Sequence, residues 1–154
     1  MWLPNCLLIL AILSTGVVYG VDVFFAVIGQ RALAQSGDAA IAEVMGHLHE
    51  VADARMPVFA ATGMIATLAL AILSPVGTTL SWLALISLAG LFAQLALYLA
   101  VAKPINAEMT RAIQQGQVLA DIRDLQNRWD SVIVGRALAM TIAIFCLTAA
   151  GVLR

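Results

Sequence analysis

The sequence predicts an all-α fold, an up-and-down four-helix transmembrane bundle with cytoplasmic amphipathic helical extensions, and three observations carry that prediction. Four long apolar stretches, running roughly Leu3–Ile28, Met56–Leu73, Leu80–Ala102 and Val132–Leu153, contain only two charged residues, Asp22 and Arg136. The 154-residue chain is 62% hydrophobic and 11% charged, with a mean hydropathy of +0.98. A soluble domain carries about 25% charged residues, so this balance belongs to the membrane class. Finally, a helix of about 20 apolar residues crosses a bilayer core about 30 Å thick, and each stretch is close to that length.

The first stretch opens on Trp2, Leu3, Pro4, Asn5 and Cys6, with no Lys or Arg before Arg31. A cleaved signal peptide has a basic start and a small-residue cleavage site, so this segment reads as a retained span. Within it, Gly16 and Gly20 form a Gly-x-x-x-Gly face suited to close helix packing. Span two opens at Met56, with Pro57 in a first turn where its missing N–H costs nothing. The turn Ser74-Pro-Val-Gly-Thr-Thr79 then makes a tight hairpin with span three. Span three is expected to end at Lys103-Pro104, because proline disfavours a continuing helix. Cys6 and Cys146 both fall in apolar segments and read as small packing residues.

Four spans put both termini on one side and the segments 29–55 and 103–131 on the other. Arg31, Arg55, Lys103, Arg111, Arg123 and Arg128 lie on that second side, against Arg154 alone on the first. The positive-inside rule makes the long segments cytoplasmic and the termini external, with a bacterial plasma membrane the expected location. In 38–55, Ile41, Val44, Met45, Leu48 and Val51 recur at helical spacing, with Asp38 placed as an N-cap. In 117–131, Leu119, Ile122, Leu125, Trp129 and then Val132 do the same, so the fourth helix is expected to start near Leu119 and run unbroken into the membrane. These extensions either cap the bundle or rest on lipid. The whole chain, 1–154, reads as one membrane domain, and a net charge of −1 excludes nucleic acid as a partner class.

Asp22 and Arg136 lead the candidate functional residues. At about 1.5 Å per residue both lie roughly 6–9 Å inside the charged boundary, where spans one and four could join them as a buried pair. Such a pair either fixes packing or marks a pocket; alternatively, the arginine snorkels alone to the headgroups. His47 and His49 sit two apart and face away from each other. Glu43, His47 and Glu50 share one helix face, and His49 and Asp53 share another. A carboxylate–histidine stripe could bind a divalent metal or set up a general base, and is more often a solvated surface. Asn106, which could also cap the helix after it, joins Arg128, Trp129, Arg136 and Asp22 at one mouth of the bundle. Apolar walls with a few placed polar groups there make a small-molecule site.

These residues bring out a resemblance. Gly16-Val-Val-Tyr-Gly20, Val23-Phe-Phe-Ala-Val27, Met56-Pro-Val-Phe59, Lys103-Pro-Ile-Asn106, Arg128-Trp129 and Gly135-Arg136-Ala137 together resemble the anthrone-oxygenase-like family of small four-span membrane proteins. The resemblance extends over nearly the whole chain and matches Asn106, Trp129 and Arg136 to the family's polar signature. It implies oxidation of a lipophilic aromatic substrate without a bound cofactor, with Arg136 beside the developing anion. Family members often carry His or Asn between the Trp and the Arg, where this chain has Asp130-Ser-Val-Ile-Val-Gly135. Asp22 also looks particular to this chain. Three functions follow: an oxidoreductase acting on an aromatic or quinone-like molecule through Arg136 and Asp22 with Asn106, Trp129 and Arg128 as binding residues, a non-catalytic binder of lipid or a protein partner, and a small transporter subunit. The partners expected are membrane lipid and a lipophilic aromatic molecule, with a homo-oligomer open. The transporter reading expects more intramembrane polar residues than Gln94 and scattered Ser and Thr, and internal repeats that the two halves do not show.

Overall fold

The structure, a computed structural model, describes residues 2–153; the Arg154 counted above lies outside them. Four helical rods follow one another: α1 (Trp2–Ala34), α2 (Asp38–Leu73), α3 (Thr79–Gln114) and α4 (Ile122–Val152). All four are long and apolar enough to cross a membrane, and this all-α four-helix bundle fits a multi-pass membrane protein. α1 packs on α2 and α4, and α3 packs on the same two. The side chains facing outward over the apolar half are large and hydrophobic, including Ile72 at 71% and Phe145 at 68% exposure. A continuous belt of that kind suits lipid and not water.

Each rod has 31 to 36 residues, and at about 1.5 Å per residue all exceed a 30 Å core. The excess lies at the charged end, where the rods go on past the apolar belt and pack on one another. Phe25, Leu33, Ile41, Met45, Ile105, Met109, Ile122, Leu125, Trp129 and Ile133 form one buried cluster there. The extensions therefore cap the bundle. A second cluster at the other end joins Leu8, Ala11, Ala66, Leu70, Ala84, Leu147 and Ala150. Between them only Val18, Leu91, Met140 and Ala143 are clustered, so packing is thinnest at mid-height.

Several local expectations are corrected. Helix α3 does not stop at Pro104: residues Tyr98–Ala102 form a π turn, in which the Lys103 N–H donates to the Tyr98 carbonyl, and the helix then runs to Gln114. The wider turn makes room for a ring that would otherwise strike the carbonyl of the preceding turn. Pro57 lies in the interior of α2, which begins eighteen residues earlier than the apolar stretch suggested, at Asp38. Burial of Ile41, Met45 and His49 holds that helix together, although the proline leaves the Asp53 carbonyl without its donor. The N-cap of α2 is Gly37, and Asp38 accepts from Arg123 Nε at 3.0 Å while Arg123 Nη2 donates to the Ser36 carbonyl at 2.8 Å. That arginine ties the start of α4 to the α1–α2 loop. α4 starts at Ile122, three residues after Leu119, and does run unbroken to Val152. Cys6 is exposed on the apolar belt, Cys146 is buried, and both are free thiols.

The Gly16–Gly20 face is not where backbones come closest. A Cβ on Gly16 would lie 3.9 Å from Ile144, and one on Gly20 would meet nothing within 4 Å. The close approaches use Gly90, whose Cβ position is 2.7 Å from the Ala139 carbonyl of α4, and Gly63, at 2.8 Å from Thr15 Oγ1 of α1. Gly90→Val is expected to push α3 from α4 and cost about 1–3 kcal/mol. Gly20→Val in the same detergent should melt within error of the parent protein; equal losses at the two sites would refute this assignment.

Candidate functional site

A second π turn, Phe25–Gly29 in α1, lies at the junction between the apolar belt and the cap. The Gln30 amide donates to the Ala26 carbonyl at 2.6 Å and satisfies a backbone group within that turn. Gly29 lets the Phe25 ring lie across the backbone, since a Cβ there would fall 2.5 Å from Phe25 Cδ1. The ring consequently points inward and meets Trp129 edge-on, at a centroid distance of 5.2 Å and an angle of 73°.

Where the mid-height packing thins, the bundle encloses a cavity of about 310 Å³. That is at the lower end of the range for small-molecule pockets, about 300–1,000 Å³. Phe25, Leu48, Met56, Ala60, Met64 and Leu95 supply apolar wall, and Pro57 and Ala61, both exposed, lie on its rim. A separate space of about 20 Å³, room for one water, continues beside Thr15 and Met140 toward the other end.

Asp22 and Arg136 meet in the wall of the cavity. Arg136 Nη2 donates to Asp22 Oδ1 at 2.6 Å, and the Gln94 amide donates to the other carboxylate oxygen at 3.4 Å. Asp22 is 1% exposed and Arg136 7%, so neither charge reaches water and each is held by the other. The guanidinium also stands over two rings, 5.7 Å from the centroid of Tyr98 and 5.8 Å from that of Trp129.

A second network lies on the cap side of Trp129. The indole N–H donates to Asn106 Oδ1 at 2.9 Å. The Asn106 amide donates to both oxygens of Asp53, at 3.0 and 3.2 Å, and the Tyr98 hydroxyl donates to Asp53 Oδ1 at 3.0 Å. These bonds hold the Asn106 amide in one orientation and the indole in one plane. Asn106 thus caps no helix; it links three rods. His49 completes the roof, its ring 5.7 Å from that of Trp129 and tilted by 44°. Two residues of the lining each carry a buried nitrogen with no hydrogen-bond partner among the described residues, Arg136 Nε and His49 Nε2.

Of the residues singled out in the sequence, Asp22, Asn106, Trp129 and Arg136 all line this one cavity. Arg128 does not: it is exposed one position before Trp129, on the outer face of α4. Glu43, His47 and Glu50 are likewise exposed, with His47 Nδ1 3.6 Å from Glu50 and Glu50 also accepting from Gln114 at 2.8 Å. Among the described residues no three His, Cys, Asp or Glu side chains gather as metal ligands. The sequence paired His49 with Asp53 on one helix face but did not place them in this site, and it pointed to no site role for Tyr98 or Gln94. A signal for the first existed, because Ile41, Met45 and His49 fall at spacings of four on one face, so the histidine continues a buried stripe.

In comparisons with family models, curated proteins and solved structures, the chain matches none. The anthrone-oxygenase resemblance therefore rests on the residues quoted for it.

Proposed function

We propose that the protein binds a lipophilic aromatic molecule bearing ring oxygen in the cavity between the apolar belt and the cap. A single observation carries this reading: an apolar-walled space of about 310 Å³ is lined by the buried Asp22–Arg136 pair and by the aromatic residues Phe25, Tyr98 and Trp129. Flat rings suit walls made of Phe25, Tyr98 and Trp129, and a ring oxygen suits a wall that includes Arg136. The six Lys and Arg residues of the cap end favour a cytoplasmic cap and external termini. Pro57 and Ala61 on the exposed rim, at the level of the apolar belt, support entry of the ligand from the bilayer. The catalytic form of this function, which the resemblance favours, is oxygen-dependent oxidation of an anthrone to an anthraquinone, with one O₂ consumed and one water released.

Trp129 reports directly on occupancy. In a Trp2→Phe, Trp82→Phe background it is the one remaining tryptophan of three, and titration with anthrone should quench its emission saturably. Oxygen uptake in the same sample separates enzyme from binder. A linear, unsaturable quench that matches free tryptophan in the same detergent would count against any site.

A further inference from the structure

We infer that the protein pairs with a second copy of itself through the outer face of α2, in a parallel helix–helix seam that runs from the apolar belt into the cap. This surface lies outside the cavity, and the pairing holds whatever the cavity binds.

On its outward side α2 repeats with a period of seven. Val44, Val51, Val58, Ile65 and Ile72 follow one another at that interval, are all β-branched, and are 51–71% exposed. Three residues after the first four of them come His47, Ala54, Ala61 and Leu68, which are exposed as well. A stripe of this kind is the pattern of a left-handed helix pair. β-branched side chains have little rotamer freedom to lose on packing, and Ala54 and Ala61 let two backbones approach closely. The period alone does not set α2 apart, because any helix of a left-handed bundle keeps one face outward. What sets it apart is where the stripe continues and which charges flank it.

In the belt, lipid covers this face as well as protein does. In the cap it does not. Val44 lies twelve residues before Met56, about 18 Å along the helix and beyond a headgroup layer about 5–8 Å deep. The outward faces of α3 and α4 turn polar there, with Glu108 and Arg111 on one and Asp124, Asn127 and Arg128 on the other. On α2 the valines go on, and Glu50 and Arg55 stand on opposite sides of them, just before Val51 and just after Ala54. Two copies in one membrane share a topology, so a two-fold pair has its α2 helices parallel. In a parallel pair, the residue just before a β-branched seam position faces the residue five further on in the other helix. Glu50 thus meets the partner's Arg55, and Arg55 meets the partner's Glu50. Within one chain the two point about 140° apart around the helix, and Arg55 has no ion pair among the described residues. Glu50 accepts from Gln114 and lies beside His47, and its carboxylate has acceptor sites left for a guanidinium. Of the two residues on the cavity rim, Ala61 belongs to the seam and Pro57 flanks it, so the second copy stands beside the mouth and leaves the entry past Pro57 to lipid.

The full chain, carrying a fluorescent donor or acceptor at its C-terminus and reconstituted in phosphatidylcholine vesicles, tests this. Energy transfer between copies should rise saturably with the protein-to-lipid ratio. Glu50→Arg alone, or Arg55→Glu alone, puts like charges together at both contacts and should weaken pairing at least about fivefold. A donor E50R copy mixed with an acceptor R55E copy has opposite charges at both contacts and should pair within about twofold of the parent. In a Cys6→Ser, Cys146→Ala background, Ala54→Cys should form a disulfide-linked dimer on mild oxidation, whereas Ala107→Cys, exposed on α3, should not. A monomer at every ratio overturns the pairing and leaves the face to lipid. Equal cross-linking at the two cysteines overturns the seam. Single charge variants that pair as well as the parent, or a mixed pair no stronger than either of them alone, overturn the Glu50–Arg55 register.

Discussion

Arg136→Ala is expected to destabilise the folded protein by about 3–5 kcal/mol, among the largest effects of a single truncation in the chain. The reason is what it leaves behind. Asp22 loses its counter-ion at 1% exposure, with one long hydrogen bond of 3.4 Å from Gln94 as its remaining support. The loss should show as a lower melting temperature in mild detergent and a lower threshold for unfolding by SDS. Asp22→Asn/Arg136→Ala should recover much of it, because an amide is far cheaper to bury than an unpaired carboxylate. Equal losses in single and double variants would mean that the aspartate is sustained by something other than the arginine.

Trp129→Ala should follow closely, at about 3–5 kcal/mol. It removes the ring against which Phe25, His49 and Arg136 are all placed, and it orphans the Asn106 carbonyl oxygen. Trp129→Phe separates the two contributions. It retains most of the packing and loses the hydrogen bond, for a cost near 1 kcal/mol. The same unfolding assay reads both variants, and a phenylalanine variant as unstable as the alanine one would shift the weight from packing to the Asn106 bond.

The four rods follow from hydropathy alone, since nothing but helix satisfies the backbone across lipid in segments of this kind. Asp22 and Arg136 stood out because an isolated charge in an apolar run demands a partner, and helical rise put them at one depth. What hydropathy misses is the cap. There α2 and α3 continue through Pro57 and Pro104, because packing around Met45, Met109 and Trp129 outweighs the local cost of each proline. His49 was hidden for a related reason. Its neighbours His47 and Glu50 are surface residues, and the polar character of the segment masks the one histidine that turns inward. Arg128 shows the converse: a position adjacent to a site residue in sequence is about 100° away from it around a helix.

The two π turns have a consequence for the spacing of the chain. Each adds one residue to a helical turn, and a residue added or removed rotates everything beyond it by about 100°. Asp22 lies before the turn in α1 and Leu33 after it; Gln94 lies before the turn in α3 and Asn106 after it. The half of the molecule in the apolar belt and the half in the cap are therefore phased against each other by one residue in each of two helices. A single deletion within Phe25–Gly29 or Tyr98–Ala102 would leave composition, hydropathy and helix count almost untouched. It would nevertheless turn Leu33 out of the cap cluster or Asn106 out of the cavity, so in these ten positions chain length carries as much information as residue identity.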